Sequence, residues 1–133
     1  MVRGDLNADS VSSVAAQMGA QFFALDLRDE AAIASMVAAI EAEHGQIDLF
    51  CSNAGIIGVD GAPWWATGAD NDMWQRMWEI HLMSHVYAAR ACLPGMIARG
   101  EGYFLNTASA AGLLAQIGSA PYSVTKHAAV SFA

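Results

Sequence analysis

The chain has 133 residues, 55% of them hydrophobic and 14% charged, with 13 acidic against 6 basic side chains and a net charge of −7. That length supports one domain with a real core, and the apolar content argues against disorder. The acidic balance excludes nucleic acid and anionic membrane surfaces as partners, because both need clustered cations, and no 18-residue stretch is free of charged or strongly polar side chains, so no membrane span is expected.

Residues 1–4 read as the tail of a strand, and Met1-Val2-Arg3-Gly4-Asp5 carries no apolar segment that would make a signal peptide expected. Residues 9–18 read as a short helix, opened by Ser10-Val11 and followed by Gly19. Gln21-Phe22-Phe23-Ala24-Leu25 is a short buried strand. Asp29 predicts a cap for a helix over 30–43, in which Ala32, Ile33, Met36, Val37 and Ile40 share one face and Gly45 ends the run. Ile47-Asp48-Leu49-Phe50-Cys51 reads as the next strand, 56–70 as a loop with Gly, Pro and Trp, and 71–98 as a long helix bent at Pro94-Gly95. Gly102-Tyr103-Phe104-Leu105-Asn106 is a further strand. After a loop of small residues over 107–120, Pro121 suits the first turn of a final helix, which puts Tyr122 and Lys126 one turn apart on one face. Cys51 and Cys92 lie in separate apolar segments without metal-ligand spacing, and read as two reduced core thiols in a cytoplasmic protein.

Alternating strands and helices imply an α/β fold with a parallel sheet and helices on its faces. Ligands bind such sheets at the carboxyl ends of the strands. Asp5, Asp26, Asn53 and Ser109 each stand just past a strand, so they are expected to converge on one edge.

Four segments, in this order and spacing, carry a resemblance that covers the whole chain. Pro121-Tyr122-Ser123-Val124-Thr125-Lys126 resembles the Tyr-x-x-x-Lys motif of the short-chain dehydrogenase/reductase family, and Asn106-Thr107-Ala108-Ser109, 13 residues before Tyr122, resembles its catalytic serine segment. Cys51-Ser52-Asn53-Ala54-Gly55 resembles its Asn-Ala-Gly motif, and Asp26-Leu27 matches the acidic residue after its third strand. The resemblance implies a Rossmann-like, doubly wound parallel sheet in three layers, incomplete here, with residues 1–133 as one partial NAD(P)-binding domain. It implies hydride transfer between NAD(P) and an alcohol or ketone.

The chemistry agrees. Hydride transfer at an alcohol carbon needs a proton moved at its oxygen. A free phenol, with a pKa of about 10, is poorly matched to that task, and an ammonium one helical turn away favours the phenolate. Tyr122 is therefore expected as general acid/base, with Ser109 bonding the same oxygen. By resemblance, Lys126 also holds the nicotinamide ribose, and Asn53, Ala54 and Gly55 lie against the cofactor, where small residues permit close approach. By resemblance again, Asp26-Leu27 meets the adenine; the bland alternative for Asp26 is a helix-capping role shared with Asp29. Asp5-Leu6 falls at the end of the family's second strand, where a carboxylate accepts from the ribose 2′-OH and repels a 2′-phosphate. That favours NAD over NADP, with Arg3 as a weak counterweight.

The sequence departs from the family pattern in its long helix, where His81 stands at the position of an Asn that holds a proton-relay water. An imidazole can also donate and accept, so His81 is carried as a catalytic-site residue with a pH dependence near about 6.5; the bland alternative is a core histidine. His81 and His85 share a helix face but lack a third ligand, so no metal is expected. Trp64, Trp65, Leu113, Leu114 and Ile117 would rim a pocket for a small apolar alcohol or ketone, or would pack on the core or another subunit. Trp74, Met77, Trp78, Met83, Val86 and Tyr87 are core, with part of that face left for a homodimer or homotetramer through 71–98.

The family's opening strand, its glycine-rich phosphate loop and its closing strands have no counterpart in the sequence. The resemblance thus implies a fragment, with a gap in the sheet between the 1–27 and 47–107 parts. A non-catalytic dehydrogenase-like chain and an epimerase or dehydratase on the same scaffold remain the competing readings. Unpaired strand edges should make the isolated chain self-associate and bind cofactor weakly. Calorimetry with NAD on the isolated chain is expected to show weak binding at best; tight, stoichiometric binding would contradict the fragment reading.

Overall fold

The structure is a computed structural model that describes residues 1–61 and 65–133; Trp64, expected at the pocket rim, lies outside the described residues. The chain divides into two compact units, one of Met1–Phe50 with Tyr87–Tyr103 and the other of Cys51–Val86 with Phe104–Ala133.

The first unit opens with strand β1, Val2–Asp5, followed by helix α1, Ala8–Met18, and strand β2, Gln21–Ala24. β1 and β2 pair in parallel, with Val2 opposite Gln21 and Asp5 opposite Ala24. α1 starts earlier than Ser10-Val11 because Asn7 is the cap: its side-chain oxygen accepts the Ser10 N–H at 2.9 Å. Val11 and Ala15, one turn apart, are buried, and Gly19 closes the helix in the left-handed region at φ 61°. Helix α2, Glu30–His44, is capped by Asp29, which accepts from the N–H groups of Ala31 and Ala32 at 2.9 and 3.1 Å. It buries Ile33, Met36 and Val37, as its periodicity requires. Gly4 on β1 is where the strand meets that face: a Cβ there would stand 2.9 Å from Leu25 Cδ2 and 3.2 Å from Met36 Sδ.

Strand β3, Leu49–Ser52, pairs with strand β4, Tyr103–Asn106. The Tyr103 N–H donates to Asp48 O and the Thr107 N–H to Ser52 O, and this matched advance makes the pair parallel. The described strands thus form two parallel pairs, β1 with β2 and β3 with β4.

The long helical stretch departs from expectation. Helix α3, Asn71–Trp78, and helix α4, Ser84–Arg99, are joined by a π-helical turn over Glu79–Met83. The helix runs on through Pro94, so the irregularity lies around His81 and not at Pro94-Gly95. A π turn inside an α-helix frequently marks a functional position. The last helix, α5, Ala120–Phe132, carries Pro121 in its first turn as expected. The thiols differ from expectation too: Cys92 is buried, and burial, with Glu41 nearby, raises its pKa to about 11, but Cys51 is exposed.

Asp29→Ala removes the acceptor for two N–H groups of α2. It is expected to lower stability by about 1 kcal/mol, read as a lower urea midpoint at unchanged slope.

Candidate active site

The expected site residues fall in both units. In the first unit, parallel pairing places Asp5 and Asp26 at the same, carboxyl end of β1 and β2. The exposed Asp5 accepts the Asn7 N–H at 3.0 Å, and Leu6 beside it is 67% exposed. Asp26 accepts the Arg28 N–H at 3.0 Å and pairs with the Arg28 guanidinium at 2.6 Å, while Leu27 is half-buried. The cap of α2 is Asp29, not Asp26.

The second unit holds Asn53, Ala54, Gly55, His81, Ser109, Tyr122 and Lys126. Asn53 follows β3, and its side-chain oxygen accepts the Thr107 hydroxyl at 2.8 Å. Thr107 follows β4, and its carbonyl accepts from Lys126 Nζ at 3.0 Å. Lys126 is 3% exposed, and burial lowers its pKa. Its Nζ stands 5.9 Å from the centroid of the Tyr122 ring. Lys126 and Tyr122 thus meet on one face of α5, as their spacing requires.

Ser109 caps a short 3-10 turn, Ala110–Gly112, by accepting the Ala111 N–H at 3.2 Å. A hydroxyl keeps its own proton to donate while it accepts. The turn is stitched to α5 by Ser123, whose hydroxyl donates to Ala111 O at 3.1 Å. Gly112 permits that closeness: a Cβ there would stand 2.6 Å from the Lys126 carbonyl oxygen.

His81 is fully buried in the π turn. Its Nε2 accepts the Ile56 N–H at 3.0 Å, which leaves the proton on Nδ1, and Nδ1 donates to Thr125 Oγ1 at 2.8 Å. Thr125 in turn donates to Pro121 O at 2.7 Å. The imidazole meets the Tyr122 ring edge to face, with centroids 5.3 Å apart. Burial, followed by the nearby Lys126 charge, lowers its pKa to about 4. The expected pH dependence near 6.5 is therefore corrected: a desolvated imidazole beside an ammonium stays neutral there. His85, also fully buried, engages Ser52 Oγ through Nδ1, and burial and Lys126 lower its pKa to about 4 as well. The two histidines face different partners, and among the described residues no group of three His, Cys, Asp or Glu side chains is placed to hold a metal.

Other residues were not singled out from the sequence. Thr125 carries a recoverable signal, a threonine four residues after a first-turn proline, where its hydroxyl reaches back to the i−4 carbonyl. Asp60 carries none, since only the fold brings it to α5. Of the residues expected at a pocket rim, Trp65, Leu113, Leu114 and Ile117 are 67%, 71%, 69% and 89% exposed, so they do not pack on the core.

The family model for short chain dehydrogenases matches residues 2–133. The chain belongs to the short-chain dehydrogenase family. It is 31% identical to the 1-deoxy-11-beta-hydroxypentalenate dehydrogenase of Streptomyces exfoliatus over 139 aligned residues, covering 100% of this chain and 50% of that protein. It is 37% identical to the NADP-dependent 3-hydroxy acid dehydrogenase YdfG of Shigella flexneri over 103 residues, covering 77% of this chain and 40% of that one. A gluconate 5-dehydrogenase from Burkholderia cenocepacia, solved with NADP and tartrate, superposes with a TM-score of 0.85 at 27% identity, over 98% of this chain and 52% of that one. The fold is thus the Rossmann-like α/β fold, and this chain spans about half the length of the relatives it matches. As a short-chain dehydrogenase it is related to NAD(P)-dependent oxidoreductases that act on hydroxyl groups.

His81 and His85 are neutral when folded, with pKa values of about 4 against 6.5 for an unperturbed imidazole. The unfolded chain therefore binds more protons between these values, and stability is expected to fall as pH drops from about 6.5 toward 4. Urea midpoints across that range check it. His81→Asn should flatten the decline, and an identical decline in that variant would contradict the assignment.

Proposed function

We propose that this chain carries the chemical half of an NAD(P)-dependent oxidoreductase that interconverts a small apolar alcohol and its ketone. The observation that carries the reading is the buried Lys126 ammonium, bonded to the Thr107 carbonyl and facing the Tyr122 ring. The residues fit a nicotinamide cofactor. Gly55 is exposed, and a Cβ on it would meet His81 Nε2 at 3.5 Å and Lys126 Nζ at 3.6 Å, so bare loop backbone lies against the ammonium. An ammonium has three N–H donors, and Thr107 takes one, which suits the others to ribose hydroxyls.

When bound, the nicotinamide supplies or accepts the hydride. Lys126 would hold its ribose, and Asn53, Ala54 and Gly55 would line the approach. Asp5-Leu6 and Asp26-Leu27 would take the adenosine end. In oxidation, Tyr122 as phenolate takes the proton of the alcohol oxygen as the carbon loses its hydride; in reduction, the phenol returns that proton to the ketone oxygen. Ser109 donates a hydrogen bond to the same oxygen. His81, with both ring nitrogens engaged, steadies the Tyr122 ring and the Ile56 backbone instead of passing a proton.

Asp5 favours NAD, while similar proteins carry NADP in their names or crystals, so both cofactors belong in the test. The exposed Cys51 and buried Cys92, both free, suit a reducing cytoplasm. Trp78 at 40% exposure, beside Trp74, suits pairing of the 71–98 stretch between copies.

The test is absorbance at 340 nm, with NAD and NADP against secondary alcohols, in the protein that carries this chain. Turnover is expected with NAD ahead of NADP, falling at least about 100-fold in Tyr122→Phe, as removal of a general acid/base should do. Turnover that survives Tyr122→Phe would contradict the mechanism. Cofactor binding with no turnover on any alcohol would favour the epimerase or non-catalytic reading.

A further inference from the structure

Asp60 lies in the loop that follows Asn53-Ala54-Gly55, 60 residues before the start of α5, and is only 3% exposed. Its two carboxylate oxygens accept the Ala120 N–H at 3.0 and 3.1 Å. Its own N–H donates to Gly118 O at 2.8 Å, and Ser119 Oγ donates to Gly58 O. These bonds tie residues 58–60 to residues 118–120.

The need for them follows from the start of α5. A helix leaves its first N–H groups without partners inside the helix. Ser119, in the capping position, makes no side-chain cap, because its hydroxyl is turned to Gly58. Pro121 has no N–H to satisfy, and the Ser123 N–H reaches Ser119 O at 3.1 Å. The Ala120 N–H receives its acceptor from outside the helix, from Asp60. A carboxylate also suits the positive end of a helix. Burial fixes the pair further, since each group would be costly to leave unpaired away from water.

We propose that Asp60 is a positioning residue for the reaction: it caps α5 from a separate loop and so holds the Tyr122 phenol, two residues beyond Ala120, in register with the Asn53–Gly55 segment. This rests on the reading of Tyr122 as general acid/base. A displacement of about 1 Å in a reacting group can cost about 100-fold in rate. Lys126, a turn further along α5, has its own anchor in Thr107, so cofactor affinity should depend less on Asp60 than turnover does.

The test uses Asp60→Ala and Asp60→Asn in the protein that carries this chain, followed by steady-state kinetics and amide hydrogen exchange at Ala120. In Asp60→Ala, kcat is expected to fall about tenfold or more while KM for the cofactor stays within about twofold, and the Ala120 amide to exchange about tenfold faster. Asp60→Asn, which keeps an acceptor oxygen, should recover most of kcat. Unchanged kcat in Asp60→Ala, or a loss that Asp60→Asn does not recover, would overturn the proposal. If Asp60→Ala does not fold, kcat and Ala120 exchange in Asp60→Asn decide together: both near wild type, or both altered in step, supports the proposal, and either one changed without the other overturns it. Absence of turnover in the unsubstituted protein would remove the functional reading instead, and the exchange measurement would still judge the cap by itself.

Discussion

The second unit is organised around one costly act, the burial of the Lys126 ammonium. Taking an ammonium out of water is unfavourable unless hydrogen-bond acceptors replace the water. The Thr107 carbonyl does so at 3.0 Å, just past the end of β4. The strand end, α5 and the loop after β3 are thereby held to one another, because Thr107 also bonds Asn53. Burial, with that charge beside it, keeps His81 and His85 neutral and so sets what each ring can do.

His81 shows how that constraint shapes the chemistry. A charged imidazole beside the ammonium would be repelled, and a neutral one has a single donor and a single acceptor. The acceptor takes the Ile56 N–H and the donor goes to Thr125, so the ring spans the loop after β3 and α5. The π turn over Glu79–Met83 carries it. A residue that could have titrated near neutrality becomes a fixed strut against the Tyr122 ring.

Much of this was legible in the sequence. Alternating strands and helices gave the α/β class, and the faces of α2 and α5 followed from helical spacing of Ile33, Met36 and Val37 and of Tyr122 and Lys126. The motif segments brought Asn53, Tyr122 and Lys126 to one unit. The rest depended on longer-range facts. Pro94 looked like the natural break in the long helix, but the irregularity is the π turn that carries His81, whose partners are 25 and 44 residues away. Asp60 is one carboxylate in the 56–70 loop, and nothing local ties it to Ala120, 60 residues on. Cys51 looked buried because its strand is apolar, yet its side of β3 is exposed. Hydrophobic pattern places elements; it does not say which buried donor finds which acceptor.

The central claim is that the buried Lys126 is the group that receives the cofactor, and fluorescence titration with NADH and NADPH tests it most directly, on the protein that carries this chain beside its Lys126→Met variant. Methionine keeps the length and apolar stem but has no N–H to give. The account predicts that affinity for the preferred cofactor falls about tenfold or more, as loss of hydrogen bonds from a charged group should cause. Equal affinity in the two proteins, with both folded, would contradict it and leave Lys126 as a structural cation only.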